Sequence, residues 1–130
     1  MRGKAEGRRG KAEMKNQELR DRTKQFALRI VRMYVALPKS TEAQVLGKQA
    51  LRSGTSVAAN YREASRARSD AELISKLGIV EQELDETLLW LELLVESAIV
   101  KEGKLCDLQQ EGDELLRIVV TAIKTMKDRF

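Results

Sequence analysis

Between Ser69 and Gly103 the apolar residues return every seven positions. Leu77, Leu84, Leu91 and Ala98 form one series, with Val80, Thr87 and Leu94 between them. A strand repeats every two residues, so a seven-residue return is possible only for a helix whose one face is buried along its length. The segment opens on Ser69-Asp70-Ala71-Glu72, a capping box, and Gly103 is expected to mark its end. A helix this long cannot bury its seam alone and needs partner helices.

Three other segments supply them. Phe26, Ile30, Met33 and Leu37 share one stripe from about Arg20, with Ala27, Val31 and Tyr34 beside it, and Pro38 stops this helix. Thr41-Glu42-Ala43-Gln44 fits the pattern for a second helix, with Leu46, Ala50, Gly54, Val57, Tyr61 and Ala64 on its inner face. Small residues there imply close approach of a neighbour, and Gly54-Thr55-Ser56 is the point where a break is expected if one occurs. A fourth helix is predicted from about Asp107 to Lys127, on Leu108, Leu115, Val119, Ala122 and Met126. The fold class expected is all-α, an antiparallel up-and-down four-helix bundle.

Residues 1–19 read differently. Up to Arg22 there are eight Lys/Arg against four Asp/Glu, and after it sixteen of each, so the excess of +4 sits at the start. Arg2-Gly3-Lys4-Ala5-Glu6 recurs as Arg9-Gly10-Lys11-Ala12-Glu13. Glycines without apolar periodicity predict a flexible basic tail before a bundle domain at 20–130. The tail is either a nucleic-acid-binding arm or a solvated extension, with Met14 as an alternative first residue.

The residue inventory argues against familiar catalysis. The chain has no histidine, which removes the usual serine and cysteine triads and the Glu-x-x-His pairs of di-metal bundles. Glu83 and Glu86 could meet another carboxylate around a metal, but a solvated or salt-bridged face is the simpler reading. Cys106 has no identifiable base or resolving cysteine. Neither Gly-Lys pair lies in a phosphate-loop pattern. No catalytic residue, metal or cofactor is expected. The longest aliphatic/aromatic run, Leu88 to Leu91, is far too short to span a bilayer, and no signal-peptide stretch is visible, so a cytoplasmic protein is expected.

Binding chemistry is better represented. Lys48, Arg52, Arg62 and Arg66 all lie within about 40° of Lys48 on a helical projection, and Arg68 follows, against Glu63 alone from Gln44 to Arg68. Such a row can follow a phosphate backbone, each contact releasing a counterion. Tyr61 could stack on a base, although its inner-face position suits core packing. The third helix carries eight acids and one lysine, Lys76, so electrostatic pairing within or between subunits competes with nucleic acid. An acidic protein could use the same stripe. Leu89, Trp90, Leu93, Leu116 and Val120 lie in stretches too apolar for a lone bundle, and predict an oligomer interface unless the core stripe is simply wide.

The string from Leu51 through Arg52-Ser53-Gly54-Thr55-Ser56-Val57 to Ala64, together with Leu46-Gly47-Lys48-Gln49, Ser75-Lys76-Leu77-Gly78-Ile79 and Trp90-Leu91-Glu92-Leu93-Leu94, resembles the bacterial 23S rRNA intervening sequence proteins. Phe26 to Val31 and Leu37 to Ser40 continue the likeness, which spans roughly Lys24 to Lys127. The resemblance implies a four-helix subunit, often assembled as a ring of five, with no established enzyme activity. A related branch serves diversity-generating retroelements as an accessory protein that binds reverse transcriptase and contacts RNA. The expectation is therefore a non-enzymatic oligomeric binding module for structured RNA or an RNA-processing protein. The alternative is a purely structural assembly factor whose basic and acidic helices pair between subunits.

Overall fold

The computed structural model describes the backbone of residues 2–129 and the side chains of residues 15–129. Four helices account for nearly all of it: α1 (Arg2–Val35), α2 (Thr41–Ala64), α3 (Asp70–Glu96) and α4 (Glu102–Lys127). No strand occurs among the described residues. Links of a few residues force consecutive helices to run antiparallel. Each of α2 and α3 packs on its two sequence neighbours, and α4 closes the square against α1. Helices α1 and α3 therefore stand on one diagonal, α2 and α4 on the other. None of the helices is long and apolar enough to cross a membrane, as far as the described residues go.

The boundaries follow local chemistry. Ser69 caps α3 as the sequence predicts, its hydroxyl accepting from the Glu72 amide at 3.1 Å. The α2 cap falls one residue earlier than expected, on Ser40, which accepts from the Ala43 amide at 3.3 Å. Gly103 does not end α3. The stop is a Schellman turn at Ser97–Ile99, in which the Ile99 amide donates to the Leu94 carbonyl and the Ala98 amide to the Val95 carbonyl. Ala98 takes the left-handed position with φ 62°, where glycine is usual, so it leaves the heptad seam. Gly103 falls inside the first turn of α4, which starts five residues before the expected Asp107.

Helix α1 begins well before Arg20. Its backbone is helical from Arg2, and Asn16 and Leu19, both inside the expected tail, touch the bundle: Tyr61 donates to Asn16 Oδ1 at 3.3 Å, and Leu19 packs against the core. The bundle therefore includes residues assigned to the tail by sequence. The repeated side chains of residues 2–13 lie outside the described side chains.

Phe26, Ile30, Val57, Val80, Leu84, Leu91, Leu94 and Leu115 are fully buried at the centre. The α3 seam is as predicted from Leu77 to Leu94, and only Ala98 drops out of it. On α4 the inner face passes through Leu105, Gly112 and Ile123, leaving Ala122 and Met126 partly buried. No break occurs at Gly54. A Cβ there would lie 2.8 Å from Ile30 Cγ1 and 3.1 Å from Ile30 Cβ, so the missing side chain is what admits α1. At the α2–α3 seam the buried hydroxyls of Ser53 and Thr87 stand 2.7 Å apart, and Thr87 Oγ1 is also 2.7 Å from the Glu83 carbonyl. Arg22 ties α1 to α4 through Glu111 (2.7 Å) and Glu114 (3.1 Å). The hydrogen bond to Glu111 is the main cause that holds its guanidinium charged even more firmly than usual.

Candidate nucleic-acid interface

The basic stripe of α2 is a stripe only when the helix is viewed alone. Its neighbours divide it. Arg52 leans toward α3, placing one guanidinium nitrogen 3.3 Å from Glu83 and the other 2.9 Å from Glu86. The two carboxylates that the sequence offers to a metal are thus occupied with an arginine. No group of three or more His, Cys, Asp or Glu able to hold a metal occurs among the described residues. Glu63, the acid within the stripe, is taken by Lys76 of α3 at 3.0 Å.

Arg62 and Arg66 lean the other way, toward α1. They meet Arg20 and Lys24, four residues apart on the flank of α1 that faces α2. These four cations line an open groove of about 410 Å³ with Ala58, Ala59 and one acid, Glu63, which Lys76 already pairs. None of the four forms an ion pair with any described side chain, although both Arg62 and Arg66 are exposed. Arg20 is partly buried, and its Nε has no hydrogen-bond partner. Small side chains at 58 and 59 let a rod-shaped ligand approach the α2 backbone between the charges. The arrangement is a row of four cations on two helices, none ion-paired among the described residues, and it is suited to successive phosphates.

Tyr61 lies beneath this groove and is buried rather than available to stack. Burial pushes its phenol up to about 12, partly opposed by the nearby Arg20 charge. Lys48 is exposed 14 residues before Arg62 on α2, about 21 Å along the helix and away from the groove. Arg68 sits in the α2–α3 turn, its amide donating to Glu72 at 3.2 Å. The structure thus brings together two of the five predicted cations and adds Arg20 and Lys24. Their spacing of four, on the same flank as Ala27 and Val31, was visible in sequence. What a single-helix projection lacks is which neighbour stands on which side.

Of the predicted interface residues, Leu89, Leu93 and Val120 are exposed, at 46%, 37% and 41%. Trp90 and Leu116 are partly buried against the core. Leu116 and Val120 border a shallow hollow with Gly78 and Asp85.

Residues 15–121 match the family model described as 23S rRNA-intervening sequence protein. The fold is similar to the crystal structure of a protein of unknown function from the S23 ribosomal protein family of Bacteroides thetaiotaomicron. The two are 37% identical with a TM-score of 0.78, over 85% of this chain and 98% of the other. No curated protein gives a significant match to the sequence.

Proposed function

This chain belongs to the 23S rRNA-intervening sequence protein family, and from that premise we propose that it is a non-enzymatic module that binds structured RNA through the α1–α2 groove. The observation that carries the reading is the convergence of Arg20, Lys24, Arg62 and Arg66, none ion-paired among the described residues, around a groove whose one acid, Glu63, is held by Lys76. Four positive charges in a row attract a polyanion, and the open shape of the groove suits a polymer backbone better than a small molecule. A protein that itself handles RNA is a partner compatible with the same surface.

The working form in this proposal is a homo-oligomeric ring, with five subunits as the resemblance suggests. Exposed Leu89, Leu93 and Val120 on one flank support association, since assembly would remove them from water. A ring would also repeat the groove around an axis and multiply weak contacts.

Light-scattering mass with bulk RNA at low and high salt is the test. The protein should gain mass with RNA at low salt and lose it at high salt. Arg62→Glu with Arg66→Glu should abolish that gain without loss of helix content. Retained RNA binding in this variant would overturn the groove as the site. The alternative, a structural assembly factor whose basic and acidic helices pair between subunits, would have to use other cations of α2, because Arg52 is bound to Glu83 and Glu86 of its own chain. Under that reading Arg62→Glu with Arg66→Glu dissociates the oligomer, while RNA has no effect on mass.

A further inference from the structure

At the other end of α1, on the side facing α4, a second groove opens. Its volume is about 610 Å³, and it lies between the end of α1 and the α3–α4 turn. Its floor is apolar, made largely by Met33, Leu37, Leu105 and Leu108. Its rim is Arg29, Arg32, Lys101 and Lys104, and no acidic residue lines it among the described residues. None of the four rim cations is ion-paired with a described side chain. A site of this composition fits an apolar ridge edged with negative charge.

The same chain carries such a ridge. On the outer face of α3, Leu89 and Leu93 stand one turn apart and exposed, and Asp85, Glu92 and Glu96 flank them in the open. None of these three acids forms an ion pair among the described residues, in contrast to Glu83 and Glu86. The ridge cannot reach the groove of its own subunit. Helices α1 and α3 are diagonal in the bundle, and the outer face of α3 points away from the α1–α4 side.

We propose that the Arg29–Arg32–Lys101–Lys104 groove of one copy seats the Leu89–Leu93 ridge of the next, so that subunits join head to tail. Leucines enter the apolar floor, and Asp85, Glu92 and Glu96 meet the basic rim. Two different surfaces on different sides of the subunit make the contact heterologous, the kind that repeats around a ring rather than stopping at a pair. The complementarity matches in both properties at once: apolar centre to apolar centre, and one charge sign to the other around it. This inference rests on the oligomer reading above and specifies which surfaces mate.

Charge exchange tests it. Arg29→Glu with Lys104→Glu reverses the groove, and Glu92→Lys with Glu96→Lys reverses the ridge. All four positions are surface positions, so circular dichroism should remain that of the wild type. Mass would be followed by size-exclusion chromatography with light scattering across a dilution series. Each pair alone should raise the dissociation midpoint at least a hundredfold. The chain carrying all four substitutions should reassemble to the wild-type mass, because groove and ridge are exchanged in every copy. Dissociation that the four-fold variant does not reverse would overturn the pairing of these surfaces. An oligomeric wild type whose mass neither variant changes would overturn it too, while leaving the ring intact. A wild type that stays monomeric at every concentration would overturn both. Ridge-reversed protein that stays assembled while groove-reversed protein falls apart would assign the groove to a different acidic segment and refute the proposal.

Discussion

If the α1–α2 groove holds phosphates, the salt dependence of binding should count its cations. Four cations each neutralising one phosphate of a duplex give d log K/d log[salt] of about −3.6 per engaged subunit. Affinity should then fall about 150-fold between 50 and 200 mM salt, as a slope of that size dictates. Replacing Arg62 and Arg66 by Ala removes two of the four groove charges, which halves the slope to about −1.8 and the loss to about 12-fold. The ratio of the two slopes does not depend on how many subunits engage. Arg52→Ala is the matched control. Its guanidinium is already shared between Glu83 and Glu86 and neutralises no phosphate, so it releases none of the RNA's counterions and the slope should stay at the wild-type value. Fluorescence anisotropy of a labelled RNA duplex, titrated at four or five salt concentrations, measures all three. An unchanged slope for the Arg62/Arg66 variant, or a larger change for Arg52→Ala, would refute the division of the stripe on which the reasoning depends.

Other expectations concern stability. Gly54→Ala drives a methyl into the β-branched Ile30 and should destabilise by about 1–2 kcal/mol, overpacking outweighing better helix propensity. Gly78→Ala, which meets nothing within 4 Å, should stabilise by up to about 1 kcal/mol, and urea melts of the two variants would show opposite shifts. Ala98→Gly relieves the left-handed strain at the end of α3 and should raise the melting midpoint, by an amount equivalent to about 0.5–1 kcal/mol. The raised phenol of Tyr61 gives a pH effect: below pH 10 it is protonated in both states, but between 10 and about 12 the unfolded chain loses its proton first. Stability should then fall by about 1 kcal/mol per pH unit across that window, and Tyr61→Phe should flatten the decline in an alkaline denaturation series.

Periodicity and side-chain capping made the helices legible, and where those signals were missing the boundaries moved. Ser69 announced α3 because its hydroxyl does the capping. Lys101 makes no side-chain cap at the start of α4, so the sequence pattern there pointed to Asp107 instead. The end of α3 was misplaced because a residue with a Cβ, Ala98, occupies the conformation in which glycine is sought. The inner face of α1 was readable from Phe26 and Ile30, but its helix runs on through a glycine-containing, charged segment that intrinsic propensity disfavours. At the groove, Arg62 and Arg66 were legible as members of a row. Their separation from Arg52 was not, because it is decided by acids 31 and 34 residues further on and by two cations on the preceding helix.

The hydroxyl contact between Ser53 and Thr87 bears on a problem that regular helices create for themselves. The α3 seam repeats every seven residues, so sliding α3 along α2 by one repeat would bring Val80 or Leu94 opposite Ser53 and still present an apolar row to the core. In purely apolar terms the shifted bundles are near-equals of the native one. Thr87 is the polar member of its series, and it sits where the buried serine does. Any slip would separate the pair and lose this hydrogen bond between the helices, at a cost of about 0.5–1.5 kcal/mol, while Thr87 keeps the Glu83 carbonyl and Ser53 the Ala50 carbonyl. A contact that adds little to net stability therefore selects one register among several, and with it fixes which cations of α2 stand beside the acids of α3 and which are left to α1.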